Sequence, residues 1–217
     1  MKNIKNMLKL WLCLLVAILV GCASVPGQIA YEYQTGMGIK LFYVKEVGDT
    51  CWIQLNDRIS TELVDVFKQA ANDLSARPCA NKWIVLNSLG GNVAASFAVG
   101  RIIREKRFNT ILPRYGGFCA SACGMLFIAG VKREAQDRAI TGSHLGFHQY
   151  TNGGACVKPS NKEYRELHNY AAQLLPADAA ALFVKLVIGT GCNQMDSSVS
   201  LPMLKEAGII TGDGALD

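Results

Sequence analysis

Trp83-Ile84-Val85-Leu86-Asn87-Ser88-Leu89-Gly90-Gly91-Asn92-Val93 opens on a wholly apolar run, breaks at a glycine pair and restarts at a residue suited to cap a helix. Four apolar residues in a row, 83–86, predict a strand buried on both faces, as strands are in parallel sheets. Gly90 and Gly91 let the chain turn tightly. Asn92 is a favourable N-cap, and Val93, Phe97, Gly100 and Ile103 after it share one helix face. Strand, glycine turn and helix in that order form the unit of an α/β fold with a mostly parallel sheet. A glycine pair in that place also presents N–H groups where a developing oxyanion would be favoured, although taken alone such a pair is more often only a turn.

Outward from this unit the pattern continues without an internal repeat. Residues 41–47 and 52–55 read as strands around the turn Gly48-Asp49. Leu63, Val66, Phe67, Ala70 and Leu74 then have helical spacing, with Ser60 or Thr61 as cap. Downstream, 110–112 is a strand, 122–129 an apolar helix of small residues, and 145–147 a further strand. The polar stretch 150–159 reads as a loop or flap. Ser160 and Glu163 make a capping box for a helix that Pro176 interrupts. A short helix over 201–207 leads through Gly208 to an apolar end at Ile209-Ile210.

At 217 residues, half of them hydrophobic, the chain suffices for one globular domain. Its first 21 residues differ from the rest: Lys2, Lys5 and Lys9 precede the apolar run 10–20, and no acid occurs before Glu32. That run falls short of the ~20 residues a membrane span needs and reads as a cleavable export signal. It ends in Leu19-Val20-Gly21-Cys22, which resembles the lipobox of bacterial lipoproteins. The resemblance implies a signal peptide over 1–21, a lipid on Cys22 and a tether over 22–38. It also implies a place in the bacterial cell envelope with the domain in the periplasm. Ala23 in place of an aspartate implies the outer membrane. Several acyl chains anchor a protein stably where one does not. The alternative is an ordinary secretory signal with a chance cysteine. Removing the three signal lysines leaves 19 basic against 17 acidic residues, so the net charge falls from +5 to +2 and argues for no nucleic-acid partner.

With Cys13 in the signal and Cys22 at the anchor set aside, six cysteines remain: Cys51, Cys79, Cys119, Cys123, Cys156 and Cys192. An even number in an exported chain predicts disulfides. A zinc site is the competing reading, but paired C-x-x-C spacing and neighbouring histidines are lacking, so no metal is expected.

Two further segments carry chemistry. In Cys119-Ala120-Ser121-Ala122-Cys123 a serine sits among small residues that leave room for a carbonyl group, and the N–H of Ala122 is a second oxyanion donor. Read alone, Ser121 is a helix cap. In Leu145-Gly146-Phe147-His148-Gln149 an imidazole stands at a strand end, suited to proton transfer near neutral pH. His144 has the same chemistry four residues earlier. His168 falls on the polar face of a helix and reads as solvated.

The ordered series NSLGGNV (87–93), CASACGMLFIAG (119–130), LGFHQY (145–150) and LKEAGIIT (204–211) resembles the superfamily of the Clp protease proteolytic subunit and signal peptide peptidase A. The cysteine-flanked serine and the export signal are similar to its exported, Clp-like branch. The resemblance implies a crotonase-like superhelix of β-β-α units over 39–217. It makes Ser121 the nucleophile, His148 its base, and Gly90 or Gly91 together with Ala122 the oxyanion donors. Asp196 lies close to the position of the family's acid. An ungapped match instead places the acid near Cys192 or Asn193, and a Ser-His dyad is the alternative. Signal peptide peptidases use a lysine base, but Lys132 and Lys158 lie in no matching segment. The implied activity is that of a serine peptidase acting through an acyl-enzyme on a peptide or protein substrate, with no cofactor. Two readings compete: an envelope lipoprotein that binds a peptide or partner without catalysis, and an acyl-CoA enzyme of the crotonase type. The Ser-His pair and export argue against the latter. Family members form rings, so a homo-oligomer fits, although the anchor and the flap work against one.

Disulfide pairings follow from the predicted elements. Cys51 begins one strand and Cys79 immediately precedes the next, so parallel pairing puts both at one end of the sheet. Cys156 with Cys192 would tie the flap to the C-terminal segment. Cys119 and Cys123, four apart at a helix start with Cα atoms ~6 Å from each other, would close a local bridge around Ser121 and fix its turn. The alternative for this last pair is two buried thiols that only pack.

Overall fold

A computed structural model of the chain describes residues 29–35, 38–113, 117–135, 144–152, 155–192 and 200–212. Strands β1 (Ile29–Thr35), β2 (Gly38–Val47) and β3 (Thr50–Leu55) form an antiparallel meander. From β3 onward the sheet is parallel, through β4 (Asn81–Leu86), β5 (Asn109–Ile111) and β7 (Arg133–Glu134). The six strands lie in the order β1-β2-β3-β4-β5-β7. Strand β6 (Phe118–Ala120) leaves this sheet and pairs in parallel with β8 (His144–Gly146). Two helices make crossovers between the parallel strands: α1 (Leu63–Ala76) joins β3 to β4, and α2 (Val93–Glu105) joins β4 to β5. The fold is a mixed α/β architecture with a mostly parallel sheet, as the glycine-turn unit requires.

The apolar run of β4 is buried on both faces. Ile84 and Leu86 enter the main core with Ile53, Leu55, Leu63 and Phe67, whereas Trp83 and Val85 pack with Ile111 and Trp52 in a separate cluster. Helix α3 (Cys123–Ala129) is buried along its whole length and packs against α2. A helix apolar all round belongs in a core. Burying side chains such as Leu126 or Phe127 fully contributes ~1.5–3 kcal/mol each.

Helix α4 (Asn161–Leu174) begins at the capping box, with Ser160 Oγ accepting from the Glu163 N–H and the Glu163 carboxylate accepting from the Ser160 N–H. Pro176 separates it from α5 (Ala177–Gly189). The flap holds a small hairpin of β9 (Thr151–Asn152) and β10 (Ala155–Cys156). After α6 (Leu201–Glu206) the chain is pinned by the buried Arg133, whose guanidinium donates to the carbonyls of Ile209 at 2.7 Å and Gly208 at 2.9 Å. Desolvation, with Arg104 adding to it, lowers the Arg133 pKa to about 10, and it stays charged at neutral pH.

Three details depart from the sequence expectations. Ile29–Thr35, within the stretch expected as tether, is a strand of the main sheet, and the alternation Ile29, Tyr31, Tyr33, Thr35 is its period-two signal. Helix α1 starts after Glu62 without a side-chain cap, where Ser60 or Thr61 was the expected cap. Strands β6 and β7 are too short to announce themselves by pattern. Disulfides join Cys51 to Cys79, Cys119 to Cys123 and Cys156 to Cys192, with Cα separations of 5.8, 5.1 and 5.5 Å. Such bonds persist in an oxidising compartment. Among the described residues no helix is long and apolar enough to cross a membrane.

Candidate active site

Ser121 follows the last residue of β6 and stands two residues before α3, with φ 56°. A side chain disfavours this left-handed backbone, which persists only where the surroundings over-determine it. Here they do. On the strand side the Ala120 N–H donates to Ser88 O and the Ser121 N–H to Gly146 O, both at 2.9 Å. On the helix side the Gly124 N–H donates back to Ser121 O at 2.9 Å. A strand held on both flanks must enter a helix after only two residues, Ser121 and Ala122, a turn that lifts a serine hydroxyl clear of the backbone.

The glycine pair packs directly against this turn. Gly90 has φ 93°, and a Cβ there would lie 2.7 Å from both Ala120 O and Ser121 Cβ and 2.9 Å from Ala122 N. Gly91 has φ 146°, and its Cβ would run into Ile59 O, which accepts from the Asn92 N–H at 2.8 Å. The two glycines have different roles. The Gly90 N–H donates to Ser88 Oγ at 3.1 Å. The N–H groups of Gly91 and Ala122 meet no acceptor among the described residues.

His148 lies two residues past β8, half-buried. Its neighbour Phe147 is buried edge-on to Phe183 of α5, ring centroids 5.8 Å apart, which leaves His148 facing the cleft. Nδ1 of His148 lies 2.6 Å from the Gln149 carbonyl. A carbonyl only accepts, so Nδ1 is the donor in this contact, and in the neutral tautomer that fits it Nε2 is the acceptor.

Ser121, His148, Gly90 and Gly91 line one cleft of about 630 Å³ together with Asn56, Asp57 and Arg58. Leu89 and Phe118, 73% and 46% exposed, give it an apolar rim. A space of about 40 Å³ reaches Ala122 and Met125 beside Ser121 and His148. A side chamber of about 350 Å³ has Val93 and Phe97 on its wall together with Tyr150, Glu163 and Glu166. Burial raises the Tyr150 pKa to about 12, and the two carboxylates add to the rise. Thr151 of the flap borders all three spaces. No hydrogen bond joins Ser121 to His148 among the described residues; catalytic contacts are often long before substrate tightens them.

The structure thus brings together Ser121, His148, Gly90, Gly91 and Ala122. Asp196 and Cys22 lie outside the described residues. His144 begins β8 opposite Phe118, and His168 is exposed on α4. Lys132 and Lys158 are exposed and border none of the three spaces. The sequence reading missed Asn87 and Ser88, which fasten β6 to the glycine turn: Asn87 Oδ1 accepts from the Phe118 N–H at 3.0 Å, and Ser88 Oγ takes up Gly90. A hydroxyl two residues before a glycine is a local turn signal that could have revealed Ser88.

No protein-family model matches this chain and no curated protein matches it by sequence. Among solved structures it is similar to a serine-to-alanine mutant of the 1510-N membrane-bound stomatin-specific protease. The TM-score is 0.56 at 15% identity, over 74% of this chain and 77% of that one. It is also similar to a lysine-to-alanine mutant of the same protease in complex with a substrate peptide, with TM-score 0.56 at 15% identity over 74% of this chain and 73% of the other. The likeness establishes a fold of the Clp and signal peptide peptidase A type.

Proposed function

We propose that the protein is an exported, lipid-anchored serine peptidase. The observation that carries this reading is the strained Ser121 turn, which shares a cleft with His148 beside two N–H groups that meet no acceptor among the described residues. Ser121 Oγ attacks a peptide carbonyl while His148 Nε2 takes its proton. The N–H groups of Gly91 and Ala122 receive the oxyanion, a contribution worth about 10²–10³ in rate per donor. His148 returns the proton to the leaving amine, and water then hydrolyses the acyl-enzyme with His148 as base. The Gln149 carbonyl, already on Nδ1, orients the ring as a triad acid would. Asp196 as triad acid would replace this carbonyl on Nδ1 and is part of the proposal in that form, as are the lipid on Cys22 and residence in the outer membrane. Three disulfides and the lipobox support export.

One observation favours a second reading, a non-catalytic lipoprotein that binds peptide in the cleft: Ser121 and His148 share no hydrogen bond. A fluorophosphonate probe separates the two. The peptidase reading expects covalent labelling that Ser121→Ala abolishes and His148→Ala slows at least a hundredfold. A folded wild-type protein that never labels is the binding protein instead.

A further inference from the structure

We infer that the Cys119–Cys123 disulfide is a positioning element of the active site: it holds Ser121 in its left-handed turn and makes the nucleophile's competence depend on the oxidation state of that one bond. The inference rests on the reading of Ser121 as nucleophile.

Two non-glycine residues among those described have positive φ, Ser121 and Arg107, both at 56°. Arg107 is exposed just past the end of α2, where chains commonly turn left-handed to close a helix. Ser121 instead enters a helix, and nothing in ordinary helix initiation asks for that conformation. Its strand side is fastened by two bonds to other segments, from Ala120 to Ser88 and from Ser121 to Gly146. On its helix side the turn is closed by the bonds from Gly124 to Ser121 and from Met125 to Ala122, and the first bond to another segment comes only at Met125, whose carbonyl accepts from the Tyr170 hydroxyl at 2.8 Å. The disulfide joins the two sides directly, from two residues before Ser121 to two residues after, across 5.1 Å between Cα atoms. Both cysteines are fully buried.

Its sequence span of 4 residues compares with 28 and 36 for the other two bridges, so it restricts the unfolded chain least of the three. What it constrains is the folded turn. A rotation at Ser121 swings the next peptide unit, which carries the Ala122 N–H, so Oγ and one oxyanion donor move together against His148 and Gly91. A misplacement of ~1 Å is enough for a rate loss of about 10². Reduction by a dithiol opens the clamp: the S–S bond breaks, two thiols form, and the two electrons and two protons come from the dithiol, which closes to its own disulfide.

The test uses the full chain purified from an oxidising compartment, with fluorophosphonate labelling rate and melting temperature as readouts. Cys119→Ala with Cys123→Ala is expected to label at least tenfold more slowly, through the maximal rate and not the probe's half-saturating concentration. Its melting temperature should fall less than that of Cys51→Ala with Cys79→Ala. Dithiothreitol should bring wild type to the rate of the double variant, leave that variant unaffected, and be reversed by reoxidation. Cys156→Ala with Cys192→Ala should keep the dithiothreitol response, which assigns it to the clamp and not the flap. Labelling of the folded double variant at the wild-type rate, or equal slowing of variant and wild type by dithiothreitol, overturns the clamp. Should the variant fail to fold, the reversible wild-type response decides alone. If oxidised wild type itself does not label, the nucleophile assignment falls and this inference with it. Labelling that depends on Ser121 but not on the cysteines removes the clamp only.

Discussion

Gly90→Ala directs one added methyl group at Ser121, the proposed nucleophile. With φ 93° the new Cβ would stand 2.7 Å from Ala120 O and from Ser121 Cβ and 2.9 Å from Ala122 N, where ordinary contact begins at 3.4 Å. None of these atoms is the far end of a flexible side chain, so about 0.7 Å must be opened between the glycine turn and the serine turn in a densely packed region. A shift of that size lies just under the ~1 Å that costs about 10²-fold, so labelling should slow by about 10- to 100-fold, or roughly 1.4–2.7 kcal/mol of barrier. Forcing a β-carbon into this backbone region also costs ~1–3 kcal/mol of stability, a fall of roughly 2–12 °C in Tm for a chain of this size. Gly48→Ala supplies the control. Gly48 has φ 59° in the β2–β3 turn and its Cβ would meet nothing within 4 Å, so it carries a backbone penalty without a clash. Fluorophosphonate labelling and thermal unfolding of both variants separate the two effects. If folded Gly90→Ala labels as fast as Gly48→Ala, the packing of the glycine turn on Ser121 is not what positions the nucleophile.

Ser121→Gly should unfold about 0.5–1 kcal/mol later than Ser121→Ala, because glycine alone escapes the left-handed penalty, less its own entropy cost; equal melting points would mean the turn is unstrained. Tyr170→Phe removes the hydroxyl that donates to Met125 O at 2.8 Å, a second bond on a helical carbonyl, and should cost ~0.5–1.5 kcal/mol. Gly100→Ala would place its Cβ on that same hydroxyl and should destabilise despite better helix propensity, with the two changes less damaging together than their sum by calorimetry. Replacing Cys51 and Cys79 with alanine opens a bridge with a sequence separation of 28 and should lower denaturation free energy by about 3–4 kcal/mol, with labelling unchanged. Cys22→Ser should leave the protein unprocessed or free of the membrane; unaltered mature size and unaltered detergent partitioning would remove the anchor from the proposal.

Much of the fold was legible because its signals are local. The apolar run of β4, the Asn92 cap, the capping box at Ser160 and Glu163 and the break at Pro176 each depend on residues within a turn or two. Strand β1 carries the same kind of local signal in its alternation, although it falls within the stretch expected as tether. The cysteine pairings needed only strand order and parity. Ser121, His148, Gly90, Gly91 and Ala122 were named as types of group in a series, and that series says nothing about which N–H is free. Gly90 gives its N–H to Ser88 and Gly91 keeps its own because Ile59, 32 residues away in the chain, bonds to either side of it. The strand entering the left-handed turn at Ser121 is likewise fastened by Ser88 and Gly146, and Nδ1 of His148 is met by a carbonyl. Periodicity and capping are written along the chain, whereas occupancy of a donor depends on which acceptor another strand brings to it. The sequence by itself determined the elements and the chemical types at the site; only tertiary packing decided which groups remain free to act.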